Sequence, residues 1–198
     1  MDLINNSKYK IILGSSSSRR RELLELTGIN FTVQTHTINE DFPDNLKASE
    51  IAEYIVSNKN EPFKSLIKKN EIILTADTLV WYKNKCWGKP KDKNEAKQML
   101  KLFSGNSHDV ITSVGFLTTK GFKILTESTE VTYKELNKDE IDYYVDTMNP
   151  TDKAGSYGIQ DWIGLIGVKK ISGSFYNVMG LPTWKIYENI LKLNNKWT

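Results

Sequence analysis

Residues 9–24 read YKIILGSSSSRRRELL, and the period of the apolar residues changes within them. Residues 9–13 form a short apolar run of strand length, whereas Leu23 and Leu24 belong to a helical pattern that begins beyond the serines. Strand, loop and helix in immediate succession are the opening unit of an α/β fold. The loop itself is odd, because three arginines stand at the start of a helix whose macrodipole is already positive there. An anion resolves the conflict. A turn of small hydroxyl residues exposes backbone N–H groups at the helix N-terminus, and Arg19 and Arg20 can grip phosphate oxygens through bidentate, charge-assisted bonds. A serine N-cap followed by solvated arginines explains the same letters, and both readings stand on the turn alone.

The alternation continues along the chain. Residues 31–35 read as a strand and 48–69 as a helical region that Pro62 breaks in two. EIILTADTLVWY, residues 71–82, is an apolar β run with Asp77 and Thr78 in its middle. Asp92 and Glu95 form a capping pair for a helix whose Ala96, Met99, Leu100 and Phe103 recur at helical spacing. Residues 108–118 and 123–133 read as strands. Asn137 and Glu140 cap a further helix with Ile141, Tyr144, Val145 and Met148 on its apolar stripe. Residues 164–171 read as a strand, and Pro182 opens the last helix where its missing N–H is harmless. The pattern predicts an α/β domain, one arrangement of which is two lobes around a cleft. With no repeat, low-complexity block or long linker, residues 1–198 are expected to be a single domain.

At 198 residues, 39% hydrophobic and 26% charged, the chain has the make-up of a globular domain with a sizeable core. Its formal net charge of +3 arises from lysines scattered among 24 acidic residues, which argues against a nucleic-acid footprint and for a small acidic ligand held by local cations. No apolar run of transmembrane length occurs, and the first ten residues lack the pattern of an export or transit signal, so a cytoplasmic location is expected. The single cysteine, Cys86, reads as structural.

Asp77 stands among Ile72, Ile73, Leu74, Leu79 and Val80, where an ionised carboxylate needs a cation or a proton. It reads as a strand carboxylate paired with a core lysine, or as a general base for water or a ligand of phosphate-bound Mg²⁺. In GKP, residues 88–90, Gly88 and Pro90 can hold Lys89 in place, although a lone lysine is more often solvated. His108 after SGNS reads as a structural or surface histidine rather than a catalyst. DKAGSYGIQ, residues 152–160, combines glycines, the Tyr157 ring and the Gln160 amide, which can present a donor and an acceptor to a nucleobase edge. A turn entering a strand fits the same residues. Neither G-x-x-x-x-G-K-[ST] nor a G-x-G-x-x-G after a strand occurs, so Walker and Rossmann readings lose their support.

Together these pieces resemble one family, the Maf proteins, nucleoside triphosphate pyrophosphatases once discussed as septum formation inhibitors. The resemblance runs from ILGSSSSRRRELL through ADTLV, GKPKDKNEAKQMLKLFSGNSHDVITSV and DKAGSYGIQ to NVMGLP. It implies a mixed twisted sheet flanked by helices, with two lobes around a nucleotide-binding cleft. It also implies hydrolysis of a nucleoside triphosphate to monophosphate and pyrophosphate with a divalent metal, Mg²⁺ or Mn²⁺. By the same resemblance Asp77 is the catalytic base, and Arg19, Thr78 and Gln160 match specificity positions. Ser15, Arg20, Glu40, Lys59 and Lys89 match the other polar pocket positions, with Glu40 assigned to the metal. The GIQ ending at Gln160 looks like the branch that hydrolyses dTTP and UTP, whereas Glu at that place would look like the 7-methyl-GTP branch. Two alternatives stay open: a house-cleaning pyrophosphatase for other modified nucleotides, and a nucleotide-sensing regulator of cell division, which would need the cations but no base. The expected partner is the triphosphate substrate, with neither nucleic acid nor membrane, and a homodimer is compatible with the reading.

The chain departs from the family pattern at five places. Ser18 replaces the usual Pro, Asn39 an acid, Asn60 an Ala, and Asp161 a Gly, with Trp162 following. A charge and a large ring beside the expected base pocket would narrow the substrate range or slow turnover.

Overall fold

The structure, a computed structural model, describes residues 8–195. Strand β1 (Lys10–Leu13) buries Ile11, Ile12 and Leu13, and helix α1 (Ser18–Leu26) follows it, with Leu23 and Leu24 as its buried residues. After β2 (Phe31–Val33) comes α2 (Ser49–Asn60), which Pro62 ends by starting a 3₁₀ turn, Glu61–Phe63. The apolar run becomes β3 (Glu71–Tyr82), hairpinned onto the short β4 (Lys85–Trp87). Helix α3 (Lys93–Phe103) starts at Asp92, whose side chain accepts from the Glu95 N–H. Strands β5 (Ser107–Thr118) and β6 (Gly121–Tyr133) lead to α4 (Lys138–Met148), which begins with a reciprocal capping box between Asn137 and Glu140. Two 3₁₀ turns, Pro150–Asp152 and Ala154–Ser156, precede α5 (Trp162–Gly167), β7 (Val168–Ser172), α6 (Phe175–Met179) and α7 (Thr183–Asn195).

The strands form a seven-stranded sheet in the order β2-β1-β3-β5-β6-β7, with β4 paired to β3 off this path. It is mixed: β1 is parallel to β2 and β3, whereas β3 with β4 and β6 with β7 are antiparallel. Parallel neighbours require crossover connections, and α1 lies in the connection from β1 to β2 and α2 in that from β2 to β3. No helix among the described residues is long and apolar enough to cross a membrane.

The chain divides into two compact units. One comprises the chain up to Asp77, Thr112–Glu127 and the chain from Gly180; the other comprises Thr78–Ile111 and Ser128–Met179. Within the first, Ile12, Phe63, Ile73 and Leu117 pack together with Ile67 and Phe122 at the margin. The second has an aromatic core in which Phe103, Tyr133, Tyr144 and Tyr157 join the aliphatic residues of α3, α4 and β6.

Two expectations are corrected. Residues 164–167 are helical, not the start of a strand, and only Val168–Ser172 is extended. The Asp161 carbonyl accepts from the N–H groups of Gly164 (2.9 Å) and Leu165 (3.2 Å), and a Cβ at Gly164 would lie 1.9 Å from the Ile159 carbonyl oxygen. Glycine therefore permits the close approach on which this helical turn is built. Met148, assigned to the apolar stripe of α4, is 47% exposed at the helix C-terminus, where Asn149 adopts a left-handed conformation.

His108 is structural. It is 3% exposed, its ring centroid lies 4.5 Å from that of Phe103, and its Nε2 is 2.7 Å from the Tyr157 hydroxyl. Burial lowers its pKa from 6.5 to about 4. The unfolded chain therefore binds this proton between those values while the folded chain does not, so stability is unaffected above pH 6.5 and falls with acid below it. Chemical denaturation should show a loss approaching about 3 kcal/mol near pH 4 from this residue alone, at roughly 1.4 kcal/mol per pH unit. His108→Gln should flatten that slope, and an unchanged slope would remove His108 as its source.

Candidate active site

The first unit gathers Ser15, Arg20, Glu40, Lys59 and Asp77. Gly14 ends β1 by donating its N–H to the Leu74 carbonyl (2.7 Å), and a Cβ there would meet Thr75 Cγ2 at 2.9 Å. The chain then turns through the serines. The Ser17 N–H donates to Ser15 Oγ (3.3 Å), and Ser17, the N-cap of α1, accepts from the Arg20 N–H (3.4 Å). Ser18 is the first residue of α1, directly behind the Ser17 cap.

Arg20 is not a solvated side chain. Its Nη1 donates to Ser15 Oγ (3.3 Å) and its Nε to the Gly180 carbonyl (3.0 Å). Burial lowers the guanidinium pKa from its ordinary value; the carboxylates of Asp77 and Glu40 oppose that, and half-buried Arg19 reinforces it. The conflict with the helix dipole is thus offset in part by the protein's own carboxylates, and the serine cap and the cation cluster coexist. Gly180, from the NVMGLP segment, is a partner that local sequence could not reveal, because the contact spans 160 residues.

Asp77 is 9% exposed on β3, and its counter-charge is Lys59 in the last turn of α2. The Lys59 Nζ lies 2.7 Å from Asp77 Oδ1, 2.8 Å from Glu40 Oε1 and 3.3 Å from the Ala76 carbonyl. An ammonium has three N–H donors, so this geometry engages all of them. Glu40 is brought in by an exposed loop in which Asn39 accepts from the Asp41 N–H (3.0 Å) and donates to the Asp41 carboxylate (2.7 Å). That turn explains how Asn39 serves where an acid is usual. Asn60, where Ala is usual, is fully buried; it donates to Thr75 Oγ1 and to the Val56 carbonyl (2.8 Å), and its Oδ1 has no partner among the described residues.

Thr78, Lys89 and Gln160 belong to the second unit. Thr78 is half-buried and follows Asp77 on β3. Lys89 is exposed, and its loop is tied to the turn before Gln160 by the bond from the Gly155 N–H to the Gly88 carbonyl (3.0 Å). The Gln160 Oε1 is buried and has no hydrogen-bond partner among the described residues. Of the departures beside it, Trp162 packs edge-on against Tyr143 (4.8 Å between centroids), and Asp161 accepts from the Tyr144 hydroxyl (2.7 Å). Neither the ring nor the charge is left unpacked.

Among the described residues no group of three or more His, Cys, Asp or Glu side chains could hold a metal ion. Glu40 and Asp77 nevertheless converge on one ammonium, and one or two carboxylates are what Mg²⁺ takes from a protein when phosphates and water complete its shell.

The chain has close relatives of known description. It is 49% identical over 96% of its length to the whole of a dTTP/UTP pyrophosphatase of Phocaeicola vulgatus. It is 45% identical over 94% of its length to 96% of the Flavobacterium johnsoniae protein of the same name. Among solved structures, the Staphylococcus aureus Ham1 protein overlaps 63% of this chain and 71% of its own, at 13% identity and a TM-score of 0.43, too loose a likeness to carry an argument. The description "Maf-like protein" matches residues 10–193, nearly the whole described chain, and the protein belongs to the Maf family.

Proposed function

We propose that this protein is a nucleoside triphosphate pyrophosphatase that hydrolyses dTTP and UTP to the monophosphate and pyrophosphate, with residues 1–198 acting as one domain. The observation that carries the chemistry is the Asp77 carboxylate held by Lys59 at 2.7 Å beside the Arg20 guanidinium. The substrate class is supported by the near full-length relatives that bear the name.

Asp77 takes the proton of the attacking water as a new P–O bond forms, and the bond between the α- and β-phosphates breaks with pyrophosphate as the leaving group. Lys59 holds the Asp77 carboxylate in place through its 2.7 Å contact. Arg19, Arg20 and Lys89 face the phosphate oxygens, where fixed cations stabilise charge that builds in the transition state. Ser15 orients Arg20 through the bond from Nη1. A bound Mg²⁺ or Mn²⁺, held by Glu40 and Asp77 with the triphosphate, would neutralise phosphate charge. Thr78 and Gln160 read the nucleoside. Uracil and thymine present an N3–H donor between two carbonyl acceptors, and the Gln160 amide, with a donor and an acceptor of its own, can complement one donor–acceptor pair of that edge.

The test is pyrophosphate release across a panel of triphosphates with Mg²⁺. The expected result is a higher kcat/KM for dTTP and UTP than for 7-methyl-GTP, with Gln160→Glu changing that ratio by about tenfold or more, since a mismatched buried polar pair costs on the order of 1–3 kcal/mol. Wild-type protein that prefers 7-methyl-GTP would overturn the branch, and one that binds nucleotides without turnover would support a sensor instead.

A further inference from the structure

Asp161, the residue after Gln160, has a specific partner in the structure. Tyr144, fully buried on α4, donates its hydroxyl proton to Asp161 Oδ2 (2.7 Å) and accepts from the Gly158 N–H (3.1 Å). The Asp161 N–H returns to the Gly158 carbonyl (3.0 Å), closing a ring of bonds around residues 158–161. Burial, reinforced by the bond to Asp161, raises the Tyr144 pKa above its ordinary value, so the hydroxyl keeps the proton it donates. A Cβ on Gly158 would lie 2.6 Å from Asp161 Oδ2, so the carboxylate fills the space that glycine leaves. Lys153 Nζ stands 3.7 Å from the same oxygen. Ile159, 4% exposed, anchors the middle of the turn in the core, and Asp161 is the N-cap residue before α5.

Gln160 is thus the one residue of the turn whose side-chain polar atom is buried but unanswered, between neighbours that are fixed on both sides. We propose that Tyr144 and Asp161 form a positioning clamp that holds the Gln160 amide in one orientation, so that Asp161 sharpens discrimination for the pyrimidine edge rather than obstructing it. This rests on the reading of Gln160 as the base-reading residue. A glycine at position 161 would leave the Tyr144 hydroxyl without its acceptor and give the turn backbone freedom, whereas asparagine would keep an acceptor of the same shape.

The experiment compares Asp161→Gly, Asp161→Asn and Tyr144→Phe by two readouts. The first is the ¹⁵N NMR signal of the Gln160 side-chain amide, assigned by its loss in Gln160→Glu. The second is kcat/KM for UTP relative to 7-methyl-GTP. A working clamp gives one sharp, shifted amide signal in wild type and Asp161→Asn, and averaged signals in the other two. The nucleotide ratio then falls about tenfold in Asp161→Gly and Tyr144→Phe, mainly through KM for UTP, and stays within about twofold in Asp161→Asn. A role confined to stability would lower activity on both nucleotides alike, and that outcome overturns the proposal. If wild-type protein shows no pyrimidine preference, the function proposed above fails, and the NMR signal judges the clamp separately: an amide signal unchanged in Asp161→Gly and Tyr144→Phe overturns it.

Discussion

Asp77→Asn should lower kcat for dTTP by on the order of 10²–10⁴ with little change in KM and none in fold. Asparagine is nearly isosteric and its carbonyl can still accept from Lys59, whose Nζ lies 2.7 Å from the present Oδ1. What it cannot do is take a proton from water at neutral pH. The loss should therefore fall on the chemical step, with circular dichroism and the thermal midpoint close to wild type. The substitution also separates the two readings that the sequence left open for this residue. A carboxylate retained only to balance a core lysine would leave hydrolysis within a factor of a few of wild type.

Elements whose signals are local were readable before any coordinates. The run from Glu71 to Tyr82 is a strand over its full length, because twelve residues of β-type apolar pattern leave no helical alternative. The capping pairs at Asp92 and Asn137 mark the helix starts because a cap is a contact over three residues. The failures are also local, but ambiguous. GLIGVKKI from Gly164 is a short apolar run that either period accommodates, and the carbonyls that make its first turn helical sit one turn earlier, where pattern carries no weight. β4 went unread because it is three residues long and follows a turn in which Lys83 and Asn84 both take positive φ, a demand that Asn signals and Lys conceals.

The site divides along the same line. That cations and hydroxyls crowd the turn at residues 15–20 was visible as a violation of the dipole rule. That Arg20 is fixed through Gly180, far along the chain, was not. The need of Asp77 for a cation followed from its apolar neighbours, but the identity of that cation required the fold. Lys59 lies eighteen residues away, at the end of a helix whose length and direction are tertiary facts. The resemblance placed Lys59 among the polar pocket positions, and the structure sets its ammonium within bonding distance of Asp77, Glu40 and the Ala76 carbonyl.

That geometry decides the second large effect. Lys59→Met should reduce kcat/KM on the order of 10²-fold, because it removes charge-assisted bonds worth roughly 1.5–3 kcal/mol each and leaves two carboxylates facing one another. Most of the loss should come through Asp77, since Glu40 is 53% exposed and its share is screened by solvent. Lys59→Arg should recover only part of the activity, because a planar guanidinium cannot send three donors toward acceptors grouped around a single nitrogen. The double variant Lys59→Met with Asp77→Asn gives the decisive comparison. If Lys59 acts by holding Asp77, removing it from a protein that already lacks the base changes little, and the double variant is no slower than Asp77→Asn within a factor of about three. If Lys59 instead contacts the phosphates on its own account, the two losses multiply, and measured rates of the four proteins of the cycle distinguish these outcomes directly.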